Sequence, residues 1–189
     1  MRLEETLHIL ASVVTIALAF TIVWTQSLAT APQTFLMVLI TVGAGFILHE
    51  LAHKYVALHY KAWAEYRAWT LGLALAVLLA FTIGVVFAAP GAVFIYGPHL
   101  NRRQNGHIAL AGAAANFVLA LVFLGLAAAN PALHELGTLG ARVNIFLGLF
   151  NLVPFFPLDG QKVWAWSKPV WAGAFALFAL AFLAVNGIA

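Results

Sequence analysis

His49-Glu50-Leu51-Ala52-His53 places two imidazoles and a carboxylate within five residues. On a helix, residues four apart lie about 40° apart around the axis and about 6 Å along it, so both rings can reach one ion. Glu50 projects beside them, where it can accept a proton from a water held by that ion. Composition alone would produce this H-E-x-x-H pattern roughly once in 150 chains of this make-up, so coincidence is a poor account of it. The plainer alternative is a pair of core histidines bonded to neighbouring helices, with Glu50 pairing Lys54 at i+4.

The surroundings of the motif weigh between these readings. Of 189 residues, 64% are hydrophobic and 8% charged, whereas an ordinary soluble domain is about a quarter charged. The chain reads as a membrane protein. At mid-bilayer an uncompensated charge costs about 2.5 to 3.5 kcal/mol even on the mildest scale, while structural zinc contributes about 10 to 16 kcal/mol in small peptides. A metal ion therefore offsets polar groups that two bare histidines leave uncompensated. There is no cysteine, so disulfides and thiolate sites are excluded and zinc must be held by nitrogen and oxygen. The net charge of +3 does not indicate nucleic acid, because the Lys and Arg residues are scattered between apolar segments rather than gathered on a stripe. No linker, repeat or low-complexity tract divides the chain, which predicts one domain over 1–189.

A catalytic zinc needs a third protein ligand and an open fourth position. Asp159 is the only aspartate and closes the apolar run NLVPFFPLDG, residues 151–160. Pro154 and Pro157 there break the helical ladder and let the backbone open around a site. His8, His59, His99, His107 and His134 lie near segment ends or in loops and are expected at the interface or in solvent.

The elements that must position these side chains follow from hydropathy. Residues 7–25, 34–58, 108–129, 139–158 and 169–188 are each long and apolar enough to span a bilayer. Ala29-Thr30-Ala31 matches a signal cleavage site, but Glu4 and Glu5 beside Arg2 and the length of the first apolar run favour an uncleaved anchor. Tyr60, Trp63, Tyr66 and Trp69, and again Trp164, Trp166 and Trp171, mix with Lys and Arg as at membrane surfaces. Residues 68–98 hold no charge and are broken by Gly84 and by Ala89-Pro90-Gly91. If this segment crossed once, Arg2, Lys54, Lys61, Arg67 and Arg142 would face Arg102, Arg103, Lys162 and Lys168 across the membrane, a split without topological signal. If it turns near Ala89-Pro90-Gly91 and returns as a strand through 91–97, every one of these except Arg142 shares a side, which the positive-inside rule makes cytoplasmic. The same parity brings Asp159 to the depth of His49 and His53. The expected fold is an all-α polytopic membrane protein with about five transmembrane helices and a re-entrant hairpin over about 70–98.

With these residues in place the chain resembles the site-2 protease family of intramembrane zinc metalloproteases, in its compact archaeal and bacterial form without PDZ or CBS domains. HELAH is similar to the family's first motif and NLVPFFPLDG to its N-x-x-P-x-x-x-L-D-G motif. GAAAN at 112–116 is a looser match, with Ala113 where the family usually has proline. The resemblance covers roughly residues 34–168. It implies that His49, His53 and Asp159 bind one zinc ion, that Glu50 is the general base, and that Asn151 and Asn116 help hold the substrate or the oxyanion. It further implies cleavage within single-span membrane proteins, in a cell membrane, from the cytoplasmic side. The strand at 91–97 is expected either to pair with an unwound substrate by strand addition or simply to plug the bundle. Two other classes stay open on the residues alone: a metal-binding scaffold without proteolysis, and a small transporter using His and carboxylate groups as an ion relay. The intact glutamate argues against the first, since a purely structural site would want four ligands and no base, and the missing inverted repeat argues against the second.

Overall fold

The computed structural model describes residues 2–25, 27–86, 90–96 and 100–187. α1 (Leu3–Trp24) is followed by α2 (Ala31–Val38), which a π-helical turn at Leu39–Gly43 joins to α3 (Ala44–His59). After β1 (Trp63–Ala68), α4 (Thr70–Ile83) and β2 (Gly91–Tyr96) come α5 (Arg102–Ala129), α6 (His134–Asn151), α7 (Asp159–Trp166) and α8 (Lys168–Val185). Among the described residues four helical units are long and apolar enough to cross a membrane: α1, the continuous Ala31–His59, α5 and α8. α6, with 18 residues, is as long as α8 but carries His134, Glu135 and Arg142 in its first half, and packs between α5 and α8. Arg142 caps α8, its Nε donating to the Val185 carbonyl at 2.8 Å. The protein is thus an all-α polytopic membrane protein, as its hydropathy predicts.

Lipid tails are as apolar as leucine, so helix association rests on close packing rather than on the hydrophobic effect. Small residues supply it. Ala19 of α1 meets Ala76 and Ala80 of α4, and Ala113 and Ala120 of α5 meet Ile145 of α6 and Phe178 of α8. A capping box starts α5, Asn101 accepting from the Gln104 amide while the Gln104 side chain accepts from the Asn101 amide. The helix then runs unbroken through Ala113, where a proline would have withdrawn a donor.

The segment after α3 shows two features that hydropathy alone does not specify. The aromatic-basic stretch WAEYRA forms strand β1, antiparallel to β2, with Trp63 opposite Tyr96 and Ala68 opposite Gly91. Its Tyr66 is buried because the ring turns inward against Ile9 and Val13 of α1 and its hydroxyl donates to Ser12 Oγ at 2.8 Å. α4 stops after 14 residues at Gly84, whose left-handed φ of 68° suits glycine, before the turn expected near Ala89-Pro90-Gly91. Ala89 and Gly97 lie outside the described residues. Since Ala68 and Gly91 are paired across the sheet, the chain leaves and returns at one level. Gly91 has φ 154° and a Cβ added there would collide with the Arg67 carbonyl, the Tyr66 hydroxyl and Ala68, so no side chain fits.

The span expected over 139–158 is also shorter. α6 ends at Asn151, and turns occupy 152–158 before Asp159 opens α7. Pro154 and Pro157 lie in this irregular stretch because neither can donate to a continuing helical ladder.

Candidate metal centre

His49 and His53 leave α3 one turn apart and meet Asp159 from the start of α7. The two Nε2 atoms are 2.9 Å apart, and Asp159 Oδ2 lies 3.2 Å from His49 Nε2 and 2.9 Å from His53 Nε2. All three side chains are buried. The far nitrogen of each ring settles its tautomer. His53 Nδ1 is 2.7 Å from the Ile108 carbonyl and His49 Nδ1 is 2.7 Å from Asn116 Oδ1. Both partners only accept, so each Nδ1 carries its ring's proton and each Nε2 presents a lone pair. Three acceptor atoms then converge with no donor among them, which is repulsive unless a cation sits at their focus. A proton on one ring would satisfy part of that triangle, and a divalent ion all of it. Donors around tetrahedral zinc with bonds of about 2.0 to 2.1 Å stand roughly 3.3 Å apart. The site fits zinc with an expansion of a few tenths of an ångström, and it offers two nitrogens and one oxygen, a suitable donor set.

One face of α5 frames the site, at Ile108, Gly112 and Asn116, each one turn from the next. A Cβ on Gly112 would fall 2.5 Å from His53 Cε1 and 2.7 Å from His49 Cε1, so glycine is what lets α5 approach both rings. Asn116 is fully buried; its Nδ2 donates to the Gly45 carbonyl at 3.2 Å and to Asn144 Oδ1 at 3.0 Å. Asn144 of α6, equally buried, is absent from the residues the sequence singles out. A lone amide in an apolar helix is its only signal there, and three other elements are needed to show what it touches.

Asp159 is placed by its neighbours in sequence. Gly160 lies against the Leu152 and Val153 carbonyls with no room for a side chain, so the start of α7 folds back onto the end of α6. The Leu152 carbonyl takes the Trp171 indole N–H at 2.7 Å, which ties α8 to the same turn. Lys162, half exposed, reaches Asp159 Oδ1 at 3.1 Å and leaves Oδ2 to face the histidines.

Glu50 does not pair with Lys54. Its Oε2 accepts the Val93 amide of β2 at 3.1 Å, and Lys54 instead pairs with the buried Glu5 of α1. Glu5 also accepts the Tyr66 amide of β1 at 3.0 Å. Tyr66 and Val93 are opposite one another in the sheet, so both of their amides point outward from the ladder and each ends on a glutamate. Asn151 Nδ2 donates to the Leu147 carbonyl of its own helix at 3.0 Å. His8, His59 and His134 are exposed; His107 bonds the Tyr60 hydroxyl at 2.6 Å, and His99 lies outside the described residues.

A buried two-histidine, one-carboxylate centre within a bundle of membrane-crossing helices defines the class of this molecule. Comparison with known proteins narrows it. The chain is 46% identical over 141 residues to "Putative zinc metalloprotease MJ0611" of Methanocaldococcus jannaschii, a match covering 73% of this chain and 74% of that one. It is 31% identical over 159 residues to "Putative zinc metalloprotease Rip2" of Mycolicibacterium smegmatis, covering 72% of this chain and 61% of the relative. Zinc metalloprotease MJ0392 of M. jannaschii is 28% identical over 124 residues, which is 30% of its length. The chain belongs to this family of zinc metalloproteases. No protein-family model matches it, and no solved structure does.

Proposed function

We propose that the protein is an intramembrane zinc endopeptidase of the site-2 protease kind, cutting the transmembrane segments of single-span membrane proteins from the cytoplasmic side of a cell membrane. The observation that carries this reading is the triangle of His49 Nε2, His53 Nε2 and Asp159 Oδ2, set inside a membrane-crossing helix with Glu50 beside it. His49 lies ten residues before the end of α3, about 15 Å along the helix, so the site is below the surface yet within reach of water from that end. The names of the relatives support zinc and proteolysis.

His49, His53 and Asp159 would hold the ion, which when bound supplies Lewis acidity, bringing the pKa of a water toward 7 and polarising a carbonyl. Glu50 accepts the proton from the attacking water and delivers it to the departing amine. The Val93 amide holds one oxygen of that carboxylate and leaves the other for this work. Asn116 acts through His49 rather than on substrate, because each of its side-chain polar atoms is already engaged. Asn151 is assigned to the developing oxyanion, for which its amide would turn from Leu147.

A helical substrate hides its carbonyls in its own hydrogen bonds and must unwind to be cut. Antiparallel ladders alternate inward and outward amides, so on β2 the residues that face away from β1 are Gly91, Val93 and Ile95. This edge adjoins Glu50, and we assign it to pairing with the unwound segment. The decisive experiment compares native protein with Glu50→Gln for bound zinc and for cleavage of a single-span substrate. One zinc in each and cleavage lowered by about 10²- to 10⁴-fold is expected; equal cleavage removes Glu50 as the base and the proposed mechanism with it.

A further inference from the structure

We propose that Asn144 is a positioning residue for the metal centre, acting through Asn116 to dictate which nitrogen of His49 carries the proton. The inference rests on His49, His53 and Asp159 holding zinc.

The polarity of the network runs in one direction. Asn144 Nδ2 donates to the Gly140 carbonyl at 2.8 Å and to the Thr41 carbonyl at 3.3 Å. Neither carbonyl can donate in return, so the amide has one orientation and its Oδ1 must face Asn116. Asn116 Nδ2 spends one proton on that oxygen and the other on the Gly45 carbonyl. Its Oδ1 is thereby left to His49 Nδ1, as an acceptor only. The His49 proton is drawn to Nδ1, and the Nε2 lone pair faces the other two ligands. Were Asn116 turned over, its N–H would meet His49 Nδ1 and push the ring proton to Nε2, where it would block the ligand.

The sequence around the network is shaped to it. A Cβ on Gly45 would collide with Asn144 Oδ1, so glycine one turn before His49 makes room for the α6 amide. Thr41 lies in the π-helical turn Leu39–Gly43, and its carbonyl accepts both the Ala44 amide and the Asn144 side chain. Four elements thus meet at two fully buried amides, and every side-chain polar atom of both has a partner. Outer partners of metal-bound histidines hold the ring and tautomer, and their loss typically weakens binding by about 10- to 100-fold.

The test measures zinc affinity by chelator competition on the full-length protein in detergent, for native chain, Asn144→Leu, His49→Ala and Asn186→Leu. Asn186 lies past the end of α8 and serves as a control for loss of an amide. Asn144→Leu is expected to bind zinc about 10- to 100-fold more weakly, with Asn186→Leu unchanged. Imidazole ¹⁵N spectra of the metal-free native protein should show neutral His49 protonated on Nδ1, and those of Asn144→Leu a mixture of tautomers. Affinity of Asn144→Leu within twofold of native overturns the proposal. So does a native His49 protonated on Nε2, a measurement that stands even where the variant does not fold. His49→Ala separates the two ideas: if it loses zinc while Asn144→Leu keeps it, the relay alone falls, and if it binds as native does, the zinc site falls with it.

Discussion

His49, His53, Glu50 and Asp159 stand out in the sequence because polar groups are scarce in an apolar chain, and each must be compensated where water is absent. The structure adds the residues that carry no such mark. Gly112 touches both imidazoles through the absence of a side chain, and the looser GAAAN motif acquires a physical meaning from it: glycine for clearance, and Asn116 one turn later for His49. Gly112→Ala should push both rings out of the triangle at an overpacking cost of about 1 to 3 kcal/mol. Zinc affinity by chelator competition is expected to fall by about tenfold or more, and native affinity would mean that α5 yields at this point. Lys162 has a milder part. Its half-exposed ammonium holds the second oxygen of Asp159, and water screens such a pair, so Lys162→Met should shift zinc affinity by only a few-fold in the same titration.

At the scale of elements, the two-stranded sheet hangs between two glutamates. Glu5 of α1 takes the outward amide of Tyr66 and Glu50 of α3 that of Val93. Because the Val93 amide serves Glu50 and not the ladder, Val93→Pro should spare the β1–β2 pairing while loosening the carboxylate proposed as the base. Cleavage is expected to drop by about tenfold or more with zinc retained by metal analysis, as general-base catalysis depends on a held carboxylate. Loss of zinc in that variant would assign the strand to packing alone. The Glu5–Lys54 pair is nearly out of water, and leaving one charge there without its partner costs about 3 to 5 kcal/mol. Glu5→Leu and Lys54→Leu should each lower thermal stability markedly, and the double variant should regain most of it, since replacing a buried pair by apolar groups is often neutral. Additive losses in the double variant would show that the pair is not coupled.

At the scale of the whole molecule, the chain departs from β1, passes through α4 and returns to β2 beside its starting point. Lys61 and Arg102 accordingly flank one end of the bundle, with Ala62 and Leu100 packed in the same cluster, while Arg142 caps the far end of α8. In intact membranes, cysteines placed at 61 and 102 should react with an impermeant reagent from the same face and one at 142 from the other. Labelling of 61 and 102 from opposite faces would require the segment between them to cross the bilayer once.

The sequence by itself determined the membrane class, singled out His49, His53 and Asp159 as candidate metal ligands, and through its charge placement favoured a reversal between residues 68 and 98. Those follow from solvent and charge: a bilayer leaves each polar group a reason to be there, and the placement of Lys and Arg constrains which ends share a side. What only the tertiary structure decided is directional. That β1 exists at all, that Glu50 bonds a strand amide and Lys54 a distant helix, and that Asn144 orients Asn116 depend on residues far apart in the chain meeting at hydrogen-bond distance. Such contacts form where small residues let helices approach, and neither periodicity nor composition encodes which distant amide will be met there.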